Sequence, residues 1–418
     1  MYRKDTLANG IRVVSETLPK SRSVSIGVWV KVGSRHEPPQ IGGISHFIEH
    51  LFFKGTEKRS AKDIAIEMDS LGGEMNAFTS QETTTYYAKV VDEHLPVVIE
   101  ILADILLGAK FDPAEMEKER KVILEEIKGV EDTPDDYIHE LFTNTVWPDN
   151  SLGRPILGTK DTIKALKHDD IISYIGDYYS PKEIVISVAG NFEHGRLLEL
   201  LNAHFGKLAR NGVPKKEATP AFAHAVSVQK KQLEQVQLCL GCKGLHYTHE
   251  DRYTISALNT VLGNSMSSRL FQEVREQYAL AYSIYSYVTF YRDTGLLTVY
   301  AGTDPSNALE VVRLVMKELK KIKEEGITPA EELRVKNQIK GNLILSLESS
   351  NSHMSRIARQ EIYFGKYLSM DDIIKGVEKV TAEQVQRLAR QLFSLENIAL
   401  TILGPLNKAD VPDTVLEI

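Results

Sequence analysis

Between Val24 and Val32 the chain alternates strictly, with Val24, Ile26, Val28, Val30 and Val32 separated by Ser25, Gly27, Trp29 and Lys31. Successive side chains on a strand point to opposite faces, so this pattern predicts a strand with one face in a core. The chain is expected to open with a short strand, Ile11 to Val14, entered through the turn signal Asn9-Gly10. A strand region is expected from Asn76 to Val91, where Thr83-Thr84-Thr85-Tyr86-Tyr87 is strongly β-prone. The period then changes. Leu95 to Phe111 is apolar but interrupted by Glu100 and Asp104, which predicts an amphipathic core helix too short and too charged to span a bilayer. Asp112-Pro113-Ala114-Glu115 opens another helix, with Asp112 as N-cap, Pro113 at the first position and an acidic first turn. The apolar stripe of that helix is Met116, Val122, Ile123, Ile127 and Val130.

The pattern repeats. Lys167-His168-Asp169-Asp170-Ile171 leads to the apolar run Ile184–Gly190, and Val380-Thr381-Ala382-Glu383-Gln384-Val385 leads to Ile398–Gly404. Asp112-Pro113-Ala114-Glu115 has its counterpart in Thr328-Pro329-Ala330-Glu331, an offset of 216 (328 − 112). The stretch from Leu208 to Ala225, rich in Lys, Pro, Gly, Asn and Ala, reads as an inter-domain linker. The organisation expected is therefore a first domain over 1–210, a linker at 211–225 and a duplicated domain over 226–418. Each half reads as α+β, a mixed β-sheet covered by helices.

Composition narrows the class without naming a function. A chain of 418 residues exceeds what one core usually serves and suggests two domains of about 200 residues each. Apolar content of 42% and charged content of 26% are ordinary for a globular protein. The net charge of −7 and the lack of any basic cluster with interleaved aromatics argue against nucleic acid as a partner. The N-terminus shows no apolar signal segment and no stretch predicts a membrane span, so a cytoplasmic protein is expected. Cys239-Leu240-Gly241-Cys242 could hold a structural zinc on spacing alone, but Val236 to Leu240 reads as a strand. If that strand continues, residues three apart point to opposite faces, about 10 Å from each other, and free core thiols are expected.

The chemistry concentrates in His46-Phe47-Ile48-Glu49-His50. On a helix, residues four apart lie about 40° from each other around the axis, so both imidazoles can face one point. Glu49 lies about 60° to the other side of His46, within reach of anything the histidines hold. Two neutral nitrogens and a nearby carboxylate able to act as base are what a catalytic zinc site needs, and the order H-x-x-E-H is a known zinc-peptidase motif. A third ligand is available on the helix begun at Asp112. Glu119 and Glu126 lie seven apart, within about 20° of each other near the middle of the apolar stripe, whereas Glu117 and Glu125 are placed opposite. Carboxylates aimed into a core are costly unless paired or metal-bound. Spacing alone leaves open whether Glu119 or Glu126 is the ligand, or whether both form buried salt bridges.

These residues resemble the inverted zinc motif of the pitrilysin family, which includes insulysin and the mitochondrial processing peptidase. His46-x-x-Glu49-His50 is followed 76 residues after His50 by Glu126 (126 − 50). Gly33-Ser34-Arg35, Phe53-Lys54-Gly55-Thr56, Asn76-Ala77-Phe78-Thr79 with Glu82, Thr84 and Tyr86, and Glu119-Arg120-x-Val122-Ile123-x-Glu125-Glu126 agree with it. In the second half, Arg275-Glu276 and Leu280-Ala281-Tyr282-Ser283 resemble the family's Arg/Tyr pair. One departure is visible, Gln277-Tyr278-Ala279 in place of a basic, glycine-containing turn, which puts the loop shape in question. At the repeat offset of 216, Glu126 maps to Asn342 and Glu119 to Val335, and no histidine pair occurs in the opening helix of the second half, expected around Ala257 to Leu270. The metal chemistry is therefore expected in the first half only.

The resemblance implies a zinc-dependent endopeptidase with one Zn2+ per chain, held by His46, His50 and Glu126. It implies Glu49 as general base, Glu119 as a supporting carboxylate, Arg275 as anchor of a substrate carbonyl and Tyr282 as donor to the developing oxyanion. It implies, too, that the β-prone region with Thr83–Tyr87 supplies an edge strand on which an extended peptide pairs by main-chain hydrogen bonds, with Asn76, Ala77 and Phe78 as substrate-binding residues. From the residues alone, an ordinary sheet strand explains that region equally well. The chain is about half the length of insulysin, so the resemblance implies a homodimer with composite active sites enclosing a chamber for short or unfolded peptides. The rival expectations are a non-catalytic scaffold or regulatory subunit of a peptidase complex, and a zinc hydrolase acting on something other than peptides.

Overall fold

The computed structural model describes residues 1–209, 212–213 and 218–417. They form two compact units, each a mixed sheet with helices on both faces, in agreement with the α+β class expected. The first unit comprises Met1–Lys128, the described residues of Arg154–Glu217, and Ser346–Tyr367. Its strands are β1 (Tyr2–Thr6), β2 (Arg12–Thr17), β3 (Ser23–Val30), β4 (Glu74–Thr79), β5 (Thr84–Val91) and β6 (Ile184–Gly190), in the order β1-β2-β6-β3-β5-β4. Only β2 and β6 run parallel among the paired strands. The β3 alternation works as expected: Val24, Ile26, Val28 and Val30 are buried in the main core of this unit, while Trp29 joins the opposite face.

The second unit comprises Gly129–Gly153, the described residues of Ala218–Leu345, and Leu368–Ile418. Its strands are β7 (Val226–Lys230), β8 (Val236–Lys243), β9 (Ala281–Phe290), β10 (Gly295–Thr303) and β11 (Ile398–Gly404), in the order β7-β11-β8-β10-β9. The duplication is legible in this order, since β6 and β11 begin 214 residues apart (398 − 184) and each pairs parallel with a strand early in its half, β6 with β2 and β11 with β7.

The units differ from the linear division at 210 and 226. Each sheet buries one face under helices of its own half and the other under one helix from the opposite half. Helix Ser350–Arg359 lies on the first sheet, packing Met354, Ile357 and Ala358 against Val14, Trp29, Val185 and Ala189. Helix Pro134–Val146 lies on the second, packing Ile138, Phe142 and Val146 against Cys239, Leu296, Ala399 and Leu403. The exchange is symmetrical, because the two helices begin 216 residues apart (350 − 134). The central strands carry glycine where the exchanged helix approaches. A Cβ on Gly27 would lie 2.6 Å from Met354 Sδ, and one on Gly241 would lie 2.8 Å from Phe142. Of the expected linker, residues 211 and 214–217 lie outside the described residues, and 218–225 carry no regular element.

Three expectations need correction. The chain opens with β1, which pairs antiparallel with β2 across the Asn9-Gly10 turn; its polar sequence and half-exposed edge position give no alternation to read. The β-prone stretch Thr83–Tyr87 is not the sheet edge: β5 pairs with both β3 and β4, and β4 is outermost. The second half's opening helix is Arg252–Leu262, ending before Leu270. β8 does continue through Lys243, with both cysteines buried, free and on opposite faces of the sheet, Cys239 in one apolar cluster and Cys242 in another. Among the described residues, no helix is long and apolar enough to cross a membrane.

Candidate metal centre

The histidine pair lies on helix Ile44–Phe52, buried along almost its whole length. Its start is set by Gly43 at φ +92, where a Cβ would meet Leu157 O at 2.5 Å, so glycine is required for both conformation and space. No local side chain caps this helix. The Glu37 carboxylate does so instead, accepting from Gly43 N at 2.7 Å and Ser45 N at 2.9 Å. Burial pushes the Glu37 carboxyl up to about 7, against the lowering effect of those two bonds.

The imidazoles of His46 and His50 stand with ring centroids 4.6 Å apart. The third group comes from helix Pro113–Glu131, held near them by Arg120, whose guanidinium lies 5.5 Å over the Phe47 ring and donates to Ile163 O and Leu166 O. From this helix Glu126 Oε2 lies 3.7 Å from His46 Nε2 and 3.8 Å from His50 Nε2. His46, His50 and Glu126 are the one His/His/Glu grouping among the described residues whose donor atoms all fall within 4.8 Å of one another. A tetrahedral zinc with bonds of about 2.0–2.1 Å sets neighbouring donors about 3.4 Å apart, so the set fits that ion with little adjustment.

Electrostatics favour the same use. Burial, and then the neighbouring His50, hold the His46 imidazole down to about 3, so it is neutral near pH 7 with a lone pair to offer. His50 Nδ1 lies 3.0 Å from Glu119 Oε2. An ionised carboxylate can only accept, so the proton resides on Nδ1 and Nε2 is bare toward Glu126. Lys54 Nζ pairs with Glu119 Oε1 at 2.7 Å, which offsets the cost of burying this carboxylate. The two glutamates thus separate: Glu119 is 5% exposed and supports His50, whereas the Glu126 side chain is 42% exposed on the open side of the centre. The expected stripe needs revision at the same point, since Val122 is 49% exposed.

Glu49 is buried on the same helix, and Thr79 Oγ1 donates to its Oε2 at 2.5 Å. Burial pushes the Glu49 carboxyl up, while the Thr79 hydroxyl and His50 draw it down. Asn76, Ala77 and Phe78 lie on β4, the edge strand that ends at Thr79. Phe78 is half-exposed and meets Trp29 and Tyr87 edge to face at 5.8 and 6.1 Å. Glu37, Lys54 and Thr79 were given no role by the sequence: Lys54 and Thr79 act through partners distant in the chain, and Glu37 caps the helix from across an irregular loop rather than from the N-cap position.

Arg275 and Tyr282 come together in the second unit. The Arg275 guanidinium lies 4.7 Å over the Tyr282 ring and 4.7 Å over Phe271, and Tyr282 is 78% exposed. The intervening turn keeps a left-handed residue despite lacking glycine, because Ala279 takes φ +51 there. An alanine in that conformation costs about 1–2 kcal/mol, which the surrounding packing absorbs.

Comparison with known proteins places the chain in a family. The profile of the insulinase family (peptidase family M16) matches residues 12–160, and that of the M16 inactive domain matches residues 165–339. The chain is 46% identical over 405 residues to the zinc protease YmxG of Bacillus subtilis, covering 97% of this chain and 98% of that one. It is 42% identical to a zinc protease of Streptomyces coelicolor over 97% of this chain and 90% of that one. A structure described as a protease from Helicobacter pylori superposes with a TM-score of 0.90 at 27% identity, covering 97% of this chain and 99% of that one. An M16 inactive domain from Pseudomonas fluorescens shares the fold, with a TM-score of 0.91 at 16% identity over 97% of this chain and 98% of that one.

Proposed function

The chain belongs to the insulinase family of peptidases, and on that premise we propose that it is a zinc-dependent endopeptidase. The observation that carries this reading is the approach of His46 Nε2, His50 Nε2 and Glu126 Oε2 to within 4.8 Å beside a buried Glu49. His46, His50 and Glu126 would hold one zinc per chain, and zinc when bound supplies Lewis-acid polarisation of water and carbonyl groups. Glu49 accepts the proton of the water that attacks the scissile carbonyl and returns it to the leaving nitrogen. Glu119 fixes the His50 tautomer. Asn76, Ala77 and Phe78 on the unpaired edge of β4 take the extended substrate by main-chain hydrogen bonds. Arg275 anchors a substrate carbonyl, and Tyr282 donates to the oxyanion as it forms.

The working unit in this reading is a homodimer with composite sites, in which Arg275 and Tyr282 of one chain serve the metal centre of the other. The chamber so enclosed admits short or unfolded peptides. Peptide hydrolysis measured with and without chelator is the test, together with two variants. Glu49→Gln should retain zinc and lose nearly all turnover, whereas Glu126→Gln should lose zinc. Wild-type turnover by Glu49→Gln would show that another group is the base, and chelator-insensitive hydrolysis would refute the metal reading.

A further inference from the structure

We infer that Thr79 is a positioning residue for peptide hydrolysis, its hydroxyl holding the Glu49 carboxylate in the orientation needed for proton transfer. The inference rests on the reading of Glu49 as the base. Thr79 Oγ1 donates to Glu49 Oε2 at 2.5 Å, and Thr79 is the last residue of the edge strand β4, paired with Thr84. The same oxygen cannot serve the donor and the reacting proton equally well. With Oε2 committed to Thr79, Oε1 is left to receive the proton from water and deliver it to the leaving nitrogen. The hydroxyl remains a donor throughout and is not consumed.

What distinguishes this bond from a chance contact is how firmly both ends are held. The turn after Thr79 is fastened to the segment Gly33–Glu37 by Ser34 N to Ser80 O at 3.2 Å and Arg35 N to Gln81 O at 2.8 Å. An Arg35–Glu82 ion pair at 2.7 Å, with side chains only 1% and 4% exposed, fixes the same turn. Two residues beyond Arg35, the Glu37 carboxylate caps the helix that carries Glu49. One short segment therefore clamps the hairpin and the helix together, and the Thr79–Glu49 bond spans the gap between them. Main-chain bonds fix the backbones that carry the hydroxyl and the carboxylate. The arrangement also ties the strand that would bind substrate to the group that would act on it.

The test compares Thr79→Val, Thr79→Ser and Glu49→Gln in the full chain for zinc content, melting temperature, kcat and KM on a fluorogenic peptide. A hydrogen bond to a charged group that acts only on the chemical step is worth about 10- to 100-fold in rate. Thr79→Val should lower kcat by that factor with KM, zinc content and melting temperature near wild type, and Thr79→Ser should recover most of the loss. Unchanged kcat in Thr79→Val would overturn the inference, as would a loss confined to KM or zinc content. So would a Thr79→Ser variant as slow as Thr79→Val. An active Glu49→Gln would instead refute the assignment of the base, and the role of Thr79 with it; an inactive Glu49→Gln beside a fully active Thr79→Val would refute the role of Thr79 alone.

Discussion

Cutting the chain after residue 209 should yield a fragment that cannot fold, although it contains the whole metal centre. The reason is the helix Ser350–Arg359, which covers one face of the first sheet and lies far outside such a fragment. Its Met354, Ile357 and Ala358 are at most 1% exposed, against Val14, Trp29, Val185 and Ala189 at 2% or less. Burying a Met or Ile side chain contributes about 1.5–3 kcal/mol, and the sheet residues beneath are uncovered at the same time. The fragment therefore forgoes on the order of 5–10 kcal/mol, similar to the total stability of about 5–15 kcal/mol that a domain of this size has. The ion pairs between this segment and the sheet go too, namely Glu16 with His353 and Arg356, and Glu361 with Lys4 and Arg12. The assay is near-ultraviolet circular dichroism with dye binding and zinc titration. Residues 1–209 alone should show no fixed tertiary signal, bind a hydrophobic dye and take up zinc weakly; residues 346–367 joined on through a flexible linker should restore the tertiary signal and tight zinc uptake and abolish dye binding. Cooperative unfolding and one tightly held zinc in the bare fragment would refute the reasoning.

Two further outcomes are expected. Glu49→Gln and Tyr282→Phe homodimers should each be nearly inactive, while a mixed dimer pairs one intact metal centre with one intact tyrosine and recovers up to about half the wild-type rate by two-fold symmetry; no recovery after verified subunit exchange would show that Tyr282 does not act across chains. Glu37, its carboxyl raised by burial from 4.5 to about 7, contributes stability that is fully present below about pH 4.5 and lost as pH rises through about 7. Between those limits the urea midpoint of the wild type should fall relative to Glu37→Gln by the equivalent of roughly 1–3 kcal/mol, and parallel curves would show that Glu37 does not titrate there.

Much of this protein was determined by the sequence alone, where the signal is local. The alternation from Val24 to Val30 produced β3 in the register expected, because a period of two has only one way to bury its apolar face. His46, Glu49 and His50 converge because helical geometry brings them together whatever surrounds the helix. The cysteines at 239 and 242 separate onto two faces for the equivalent reason in a strand.

Tertiary structure decided what depends on partners remote in the chain. Glu119 and Glu126 lie on nearly the same side of one helix, and spacing could not rank them. The approach of Lys54 and His50 made one a buried support, while the other opens beside the two imidazoles. The sheet edge went to β4, because β5, the more β-prone of the pair, is enclosed between β3 and β4. The exchanged helices were hidden most completely. Ile138, Phe142 and Val146, or Met354, Ile357 and Ala358, form an apolar stripe that would suit either sheet. A stripe records that a face must be buried and not which face will cover it, so only the folded chain settles that each half completes the other.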